Sequence, residues 1–398
     1  MVMVTRDPDR YRIWPGEGYD GVVRVVADDS YGTGTLLYGG RAVLTSAHVV
    51  EDAERVTVHF STVDGAAALS GASLALHPEY DAVDANNDMA LVWLSQPAPL
   101  SAARSALYRQ DDERGQTTTL VGYGLTGEGD SGYDDSPRTS HSKHLAENRF
   151  DVTGDELKQA LGGGINWWPR AESQLILDFD DGSQAHDALG LLAGYDDIGL
   201  GAREGMIAPG DSGGPAFIGD KVAGVATYAA SLTRNGLSPD VNDAFDSSFG
   251  EVAGFQRVSY YQRWIDQSLR EADDQAPSRA DQVVTRIIEG DEGTQLAYFL
   301  VEFRGQRERP DQWVSVDYAT RDGSATAGED YLAVADTLVL YPGESQAVIP
   351  VEVIGDNRVE PDETFFLDVF NPVGGEFADG LVTLTAVRTI VDDDIFLA

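Results

Sequence analysis

At 398 residues the chain is long enough for two or three domains whose cores need no covalent staple, so its lack of cysteine costs little stability and reports no redox compartment. Its 67 acidic against 28 basic residues leave a formal charge of −39, which argues against nucleic acid or an anionic membrane surface as partner and favours cations and metal ions. Only Lys143, Lys158 and Lys221 carry ammonium groups, so the surface is carboxylate-rich and suits salty surroundings, and no apolar run reaches the length of a membrane span.

Residues 1–12, "MVMVTRDPDRYR", lack the basic-then-apolar layout of a secretion signal and read as a leader or propeptide; an exported form would have lost its signal already. From residue 13 to about 265 the chain runs in short β segments punctuated by Gly, Asp and Asn: "GVVRVVA", "GTGTLLY", "RAVLTSA", "RVTVHF", "MALVWL" and "TTTLVGYG". That rhythm predicts barrels or sandwiches rather than alternating β and α units. Residues 126–147 are so rich in Gly, Ser, Asp and His that they read as a long exposed loop. In "VSYYQRWIDQSLREA" the period changes, and Val258, Tyr261, Trp264, Ile265 and Leu269 fall on one face of an amphipathic helix. The polar, proline-bearing stretch at 271–282 reads as a linker, and from Val283 onward alternating strands such as "QLAYFLVEF", "QAVIPVEVI" and "ETFFLDVF" predict a smaller antiparallel sandwich ending near Ile395.

The stretch "MIAPGDSGGPAF", residues 206–217, sets one serine and one aspartate among small residues. A serine hydroxyl is a weak nucleophile until an imidazole takes its proton and a carboxylate holds that imidazole in one tautomer. "GDSGG" also fits the G-x-S-x-G elbow of α/β-hydrolases, but that fold needs a histidine after the serine, and His186 is the last histidine in the chain. The remaining common order, His then Asp then Ser, is met by His48 in "VLTSAHVV", Asp88 in "NNDMALVWL" and Ser212 in "GDSGGP". Taken singly, each is equally well a core histidine, a turn aspartate and a glycine hairpin; in this order they point to chemistry.

These motifs resemble the chymotrypsin (trypsin-like) serine protease family over roughly residues 13–270. The family's "TAAHC", "DIAL" and "GDSGGP" correspond to Thr45–Val49, Asp88–Leu91 and Gly210–Pro215, with "VGYG" at 121–124 and "GFQRVSYYQRWI" as further matches. The resemblance implies an all-β fold, a double β-barrel closed by a C-terminal helix. It makes Ser212 the nucleophile, His48 the base and then acid, and Asp88 the group orienting His48, with an oxyanion hole from the N–H groups of Gly210 and Ser212. The family disulfides are missing, Val49 standing where one cysteine would be. Activation in the family implies a pair between Asp211 and an amine freed by cleavage; Ile13 after Arg12 fits, although Trp14 and Pro15 replace the usual glycines. The residue six before the serine is the floor of the family's specificity pocket, here Met206, with Thr227, Tyr228, Ala229 and Gly254 at its walls. An uncharged thioether cannot neutralise a cation, so cleavage after medium-sized apolar residues is expected unless Glu204 or Glu251 reaches the pocket. Asp178, Asp180, Asp181 and Asp187 could gather oxygen ligands for calcium, but in so acidic a chain the reading as solvated turn residues is preferred.

"GSATAGEDYL" at 323–332, "GDNRVEPDETFFLDV" and the closing "VDDD" resemble the Calx-beta domain across residues 283–395. The resemblance implies an immunoglobulin-like sandwich whose calcium ligands map onto Glu289, Asp330, Asp356, Glu360, Glu363, Asp392, Asp393 and Asp394. Gly355 departs from the aspartate of calcium-tight relatives, which implies fewer ions or weaker binding. An acidic rim that keeps sheet edges from pairing is the competing reading. The whole reads as a secreted serine endopeptidase acting on protein or peptide substrates, its accessory sandwich supported by Ca2+. The alternative from another class is a catalytically silent trypsin-like scaffold that serves as an extracellular, calcium-dependent adhesion or binding protein.

Overall fold

The computed structural model describes residues 3–134, 142–163 and 165–394. The chain divides into two compact units. One takes in the chain up to Leu37 together with Arg41–Ile265; the other takes in Tyr38–Gly40 and the chain from Asp266 onward. The expected loop at 126–147 thus lies partly outside the described residues; those on either side of the gap form short strands, Gly127–Glu128 and Gly132–Tyr133, and a full strand, Lys143–Arg149.

In the first unit six strands close a barrel: Val22–Ala27, Ser30–Leu36, Ala42–Thr45, Ala90–Leu94, Gly65–Leu76 and Val56–Thr62, the last pairing back onto the first. Val56–Thr62 alternates strictly between buried and half-buried positions, the period-two pattern of a strand with one face in a core. Val23, Val25, Val43, Val58, Phe60 and Val92 fill the interior. The second half is a nine-stranded sheet whose path runs Val152–Thr153, Gln174–Asp178, Glu251–Arg257, Lys221–Ser231, Pro215–Ile218, Thr117–Gly122, Lys143–Arg149 and Arg12–Ile13, with Ala106–Leu107 alongside Lys221–Ser231. Its backbone ladder does not close. Yet the side-chain amide of Asn148 donates to the carbonyls of Asp178 and Gly205, both at 2.8 Å, so strands five places apart in the sheet meet again. The sheet therefore coils into a second barrel with one seam stitched by a side chain. Helix Val258–Glu271 forms where its periodicity predicts, with Val258, Tyr261 and Ile265 buried.

Residues 3–12, read from the sequence as a leader, are part of the fold. Met3–Val4 is fully buried, pairs antiparallel with Gly205–Met206 and runs parallel to Glu128. Helix Val258–Glu271 ends where the stretch read as a linker begins, and the second unit begins within that helix, at Asp266.

The second unit carries a five-stranded sheet, Arg286–Ile288, Thr383–Val391, Glu363–Val373, Val314–Asp322 and Ala335–Leu340 in spatial order, and a two-stranded sheet of Thr294–Glu302 with Gln346–Ile354. The rings of Tyr331 and Phe365 stack with centroids 4.6 Å apart, Phe299 meets Phe365 edge-on, and Val351, Val353 and Leu367 complete that core.

Candidate active site

The first barrel supplies the imidazole and its carboxylate. Strand Ala42–Thr45 ends at Ser46, and a single helical turn, Ala47–Val50, presents His48. His48 Nδ1 lies 2.7 Å from Asp88 Oδ2, and the His48 backbone N–H donates to Asp88 Oδ1 at 2.9 Å. One residue thus engages both carboxylate oxygens, which keeps the ring proton on Nδ1 and leaves Nε2 as the basic nitrogen. Burial pulls the His48 pKa down, but the hydrogen bond and charge of Asp88, helped by Glu51, outweigh it and raise the net value above the ordinary imidazole range.

Asp88 is buried in the loop before Ala90–Leu94, and its neighbour Asn87 adopts a left-handed backbone, φ 55°, which asparagine tolerates better than most residues. The loop is clamped from the C-terminal helix: the Asn87 N–H donates to Tyr261 Oη at 3.1 Å, and the Tyr261 hydroxyl donates to Asn87 Oδ1 at 3.2 Å. Nothing in the sequence singles out this use of Tyr261.

Ser212 comes from the second sheet, half-buried in the turn before strand Pro215–Ile218. Its carbonyl accepts the Thr33 N–H at 2.8 Å. The Gly213 N–H donates to the carbonyl of Ala226 at 2.8 Å, and Ser46 Oγ donates to the same oxygen at 3.0 Å. The serine turn and the histidine turn therefore hang from one carbonyl. Gly213 has φ 81°, and a Cβ there would fall 2.0 Å from Thr45 Oγ1 and 2.4 Å from the Thr33 carbonyl, so the serine turn is seated directly on the first barrel. Among the described residues no hydrogen bond joins Ser212 Oγ to His48; in resting hydrolases this contact is often loose and tightens with substrate.

Gly210 has φ 95°, and its carbonyl accepts Thr33 Oγ1 at 2.9 Å, while Thr33 Oγ1 accepts the Tyr123 N–H at 3.1 Å. Among the described residues the N–H groups of Gly210 and Ser212 donate to no protein acceptor. Asp211 between them is buried. It accepts the Gly124 N–H at 2.8 Å and the Ala208 N–H at 2.9 Å, and burial pushes its carboxyl up to about 6. "VGYG" has its two glycines because a Cβ at Gly122 would lie 1.9 Å from an Asp211 oxygen and one at Gly124 2.6 Å from its carboxyl carbon.

Ile13 is not placed at Asp211 in the uncut chain. It sits in strand Arg12–Ile13 opposite Lys143. Met206 is fully buried with Met3 as its antiparallel partner. Tyr228, between Thr227 and Ala229 on one strand, faces Gly254 on the next, and its ring stands where a Cβ on Gly254 would be, 2.2 Å from Cζ. Glu204 and Glu251 are turned to their own loops: Glu204 Oε1 accepts the Asp180 N–H and Glu251 Oε1 the N–H groups of Asp246 and Ser247.

In the second unit the expected calcium ligands gather as two carboxylate triplets. Glu289, Asp356 and Asp394 form one and Asp330, Glu360 and Glu363 the other, each offering oxygens within 4.8 Å of one another. Asp392 ties them through backbone, accepting the Glu360 N–H at 2.5 Å and the Asp394 N–H at 2.8 Å, and Asp393 accepts the Gly290 N–H at 3.1 Å. Burial first, then the neighbouring carboxylates, push Glu289 and Glu363 each up to about 7. An all-oxygen, mutually repelling donor set fits a hard divalent cation of the calcium class. Gly355 also gains a reason: a Cβ there would lie 2.4 Å from the Gly290 carbonyl, so no aspartate fits without a shift of backbone.

Comparison with known proteins gives two domain matches. Residues 17–160 match the Trypsin family model, a span that holds His48 and Asp88 and stops before Ser212, and residues 274–394 match the Calx-beta domain model. The Calx-beta part is similar to sodium/calcium exchanger 2 of Rattus norvegicus, 41% identical over an alignment 92 residues long that covers 20% of this chain and 10% of the exchanger. It is also similar to the sodium/calcium exchanger Calx of Drosophila melanogaster, 38% identical over 82 residues, 21% of this chain and 8% of that protein. The chain thus spans about a tenth of the length of these curated relatives. A solved structure of neuropsin, a serine protease expressed in the limbic system of mouse brain, aligns with 67% of this chain and 98% of its own at 16% identity and a TM-score of 0.45.

Proposed function

We propose that this chain, a trypsin domain followed by a Calx-beta domain, is a secreted serine endopeptidase whose accessory sandwich binds calcium. The observation that carries the reading is the His48–Asp88 pair set beside a serine turn with two unspent N–H donors. In the proposed step Ser212 Oγ bonds to the scissile carbonyl carbon as its proton passes to His48 Nε2. The carbonyl electrons move onto oxygen, where the Gly210 and Ser212 N–H groups receive them; one such donor is worth about 3 kcal/mol in the transition state. The proton then goes to the departing amine, the C–N bond breaks, and water repeats the sequence to release the acyl group. Asp88 stays ionised and keeps the imidazole oriented throughout.

The apolar surroundings of Met206 support a preference for medium-sized apolar residues, with Arg and Lys disfavoured. A peptide-library digest read by mass spectrometry tests this, and a majority of cuts after Arg or Lys would refute it. The triad is tested with a fluorophosphonate probe on the calcium-loaded chain. Labelling that vanishes in Ser212→Ala is expected; no labelling of the native chain would favour the silent scaffold. The carboxylate triplets at 289/356/394 and 330/360/363 would hold calcium in the second unit.

A further inference from the structure

The stretch between Asp178 and Asp187 contradicts its sequence reading. Asp181 is exposed as expected, but the other three are not solvated: Asp178, Asp180 and Asp187 are 2%, 2% and 3% exposed and bring carboxylate oxygens within 4.8 Å of one another. Glu204, 1% exposed, closes the same loop by accepting the N–H groups of Asp180 and Leu200. Asp178 Oδ2 accepts the Leu189 N–H at 2.7 Å and Asp187 Oδ1 the Gly190 N–H at 2.6 Å, which orients two of the three carboxylates from the first turn of helix Ala188–Ala193. Asp180 Oδ1 is buried and has no hydrogen-bond partner. Among the described residues no Arg, Lys or His forms an ion pair with Asp178, Asp180, Asp187 or Glu204; His186 pairs instead with Asp181. Burial first, and the neighbouring carboxylates with it, raise the pKa of each of the four; the charge of Arg149 offsets this only in part at Glu204.

We propose that Asp178, Asp180 and Asp187 form a calcium site inside the protease unit, separate from the carboxylate triplets of the second unit. An ionised buried carboxylate without a partner costs several kcal/mol, so a cluster of them stays charged only with a cation. Calcium takes six to eight oxygens in flexible geometry, so three carboxylates with loop carbonyls or water complete a shell; magnesium demands a stricter octahedron and holds its own water. The ion would hold the turn from Asp178 to Asp187, and the hydrogen bond from the Asp180 N–H to Glu204 links that turn to the chain entering strand Gly205–Met206, ahead of Ser212. Its role is to position that segment.

The proposal does not depend on peptidase activity or on the Calx-beta reading. It is tested on the full chain carrying Ser212→Ala against autolysis and Asp330→Asn with Asp356→Asn to disable the second-unit triplets. Titration of the chelator-stripped protein with calcium chloride in a calorimeter should show one saturable event per chain, weakened at least about tenfold by Asp180→Asn or by Asp187→Asn. Asp187→Asn keeps a good helix N-cap, so it guards against a variant that merely fails to fold. Calcium should raise the melting point of Asp180→Asn less than that of its parent. A flat trace in the disabled background, or a binding event indifferent to both substitutions, overturns the site.

Discussion

His48 shows how one residue's balance sets a measurable pH limb. In the proposed mechanism its base form is the active one, and Asp88 outweighs burial to lift its pKa above the ordinary 6.5, so the acid limb of kcat/KM should fall above pH 6.5. In Asp88→Asn the compensating charge is lost while burial remains, so that limb should move to lower pH while kcat falls about 10⁴-fold. A limb that stays put would show that Asp88 is not what raises His48. The stability sign follows from the same shift: the pair favours protonated imidazole, so its contribution is full below pH 6.5 and fades as pH rises through the folded-state value. Thr33 is the second case at this scale. Its hydroxyl is shared by the Gly210 carbonyl and the Tyr123 N–H. Thr33→Val keeps the shape and strands both partners, which should cost about 1–3 kcal/mol in thermal or denaturant unfolding. Because Gly210 loses its tether, kcat should drop while KM stays near the native value.

At the scale of elements, the C-terminal helix does more than cap the fold. Through Tyr261 it holds the loop that presents Asp88, so Tyr261→Phe should cost about 1 kcal/mol of stability and lower kcat without changing which residues are cleaved. Stopped-flow kinetics beside a melting curve checks both. The helix face itself was legible because a 3.6-residue period survives in the local sequence, and the triad motifs because their glycines and small residues answer to local backbone demands. The clamp was not legible, since it joins residues 174 positions apart. Met3–Val4 escaped for a different reason: two residues carry no period, and the strand exists because Gly205–Met206 offers it an edge. Asp178, Asp180 and Asp187 were misread because a turn aspartate and a buried one look alike until packing decides which face the core. In the sandwich the reverse held. Six of the eight carboxylates read from the sequence lie in the two triplets, gathered by loops whose motifs are contiguous.

For the whole molecule, 67 acidic residues against 28 basic make cations part of its stability. Calcium at a hundredfold excess over its Kd stabilises a single-site domain by about 2.7 kcal/mol, or roughly 10 °C for a domain of this size. Chelation should therefore lower the melting transition of the second unit by that order in calorimetry. One molar sodium chloride should recover part of the loss by screening, and a melting curve indifferent to chelator would exclude the calcium reading of the triplets. The first unit poses another whole-molecule problem, because the proposed base and nucleophile ride on different barrels. The Ala226 carbonyl, which receives both Ser46 Oγ and the Gly213 N–H, acts as a shared mount. A jolt to that strand carries both turns the same way and cancels in their separation, as vibration cancels between two instruments bolted to one bench. The gap between His48 and Ser212 should then be quieter than either residue's own motion.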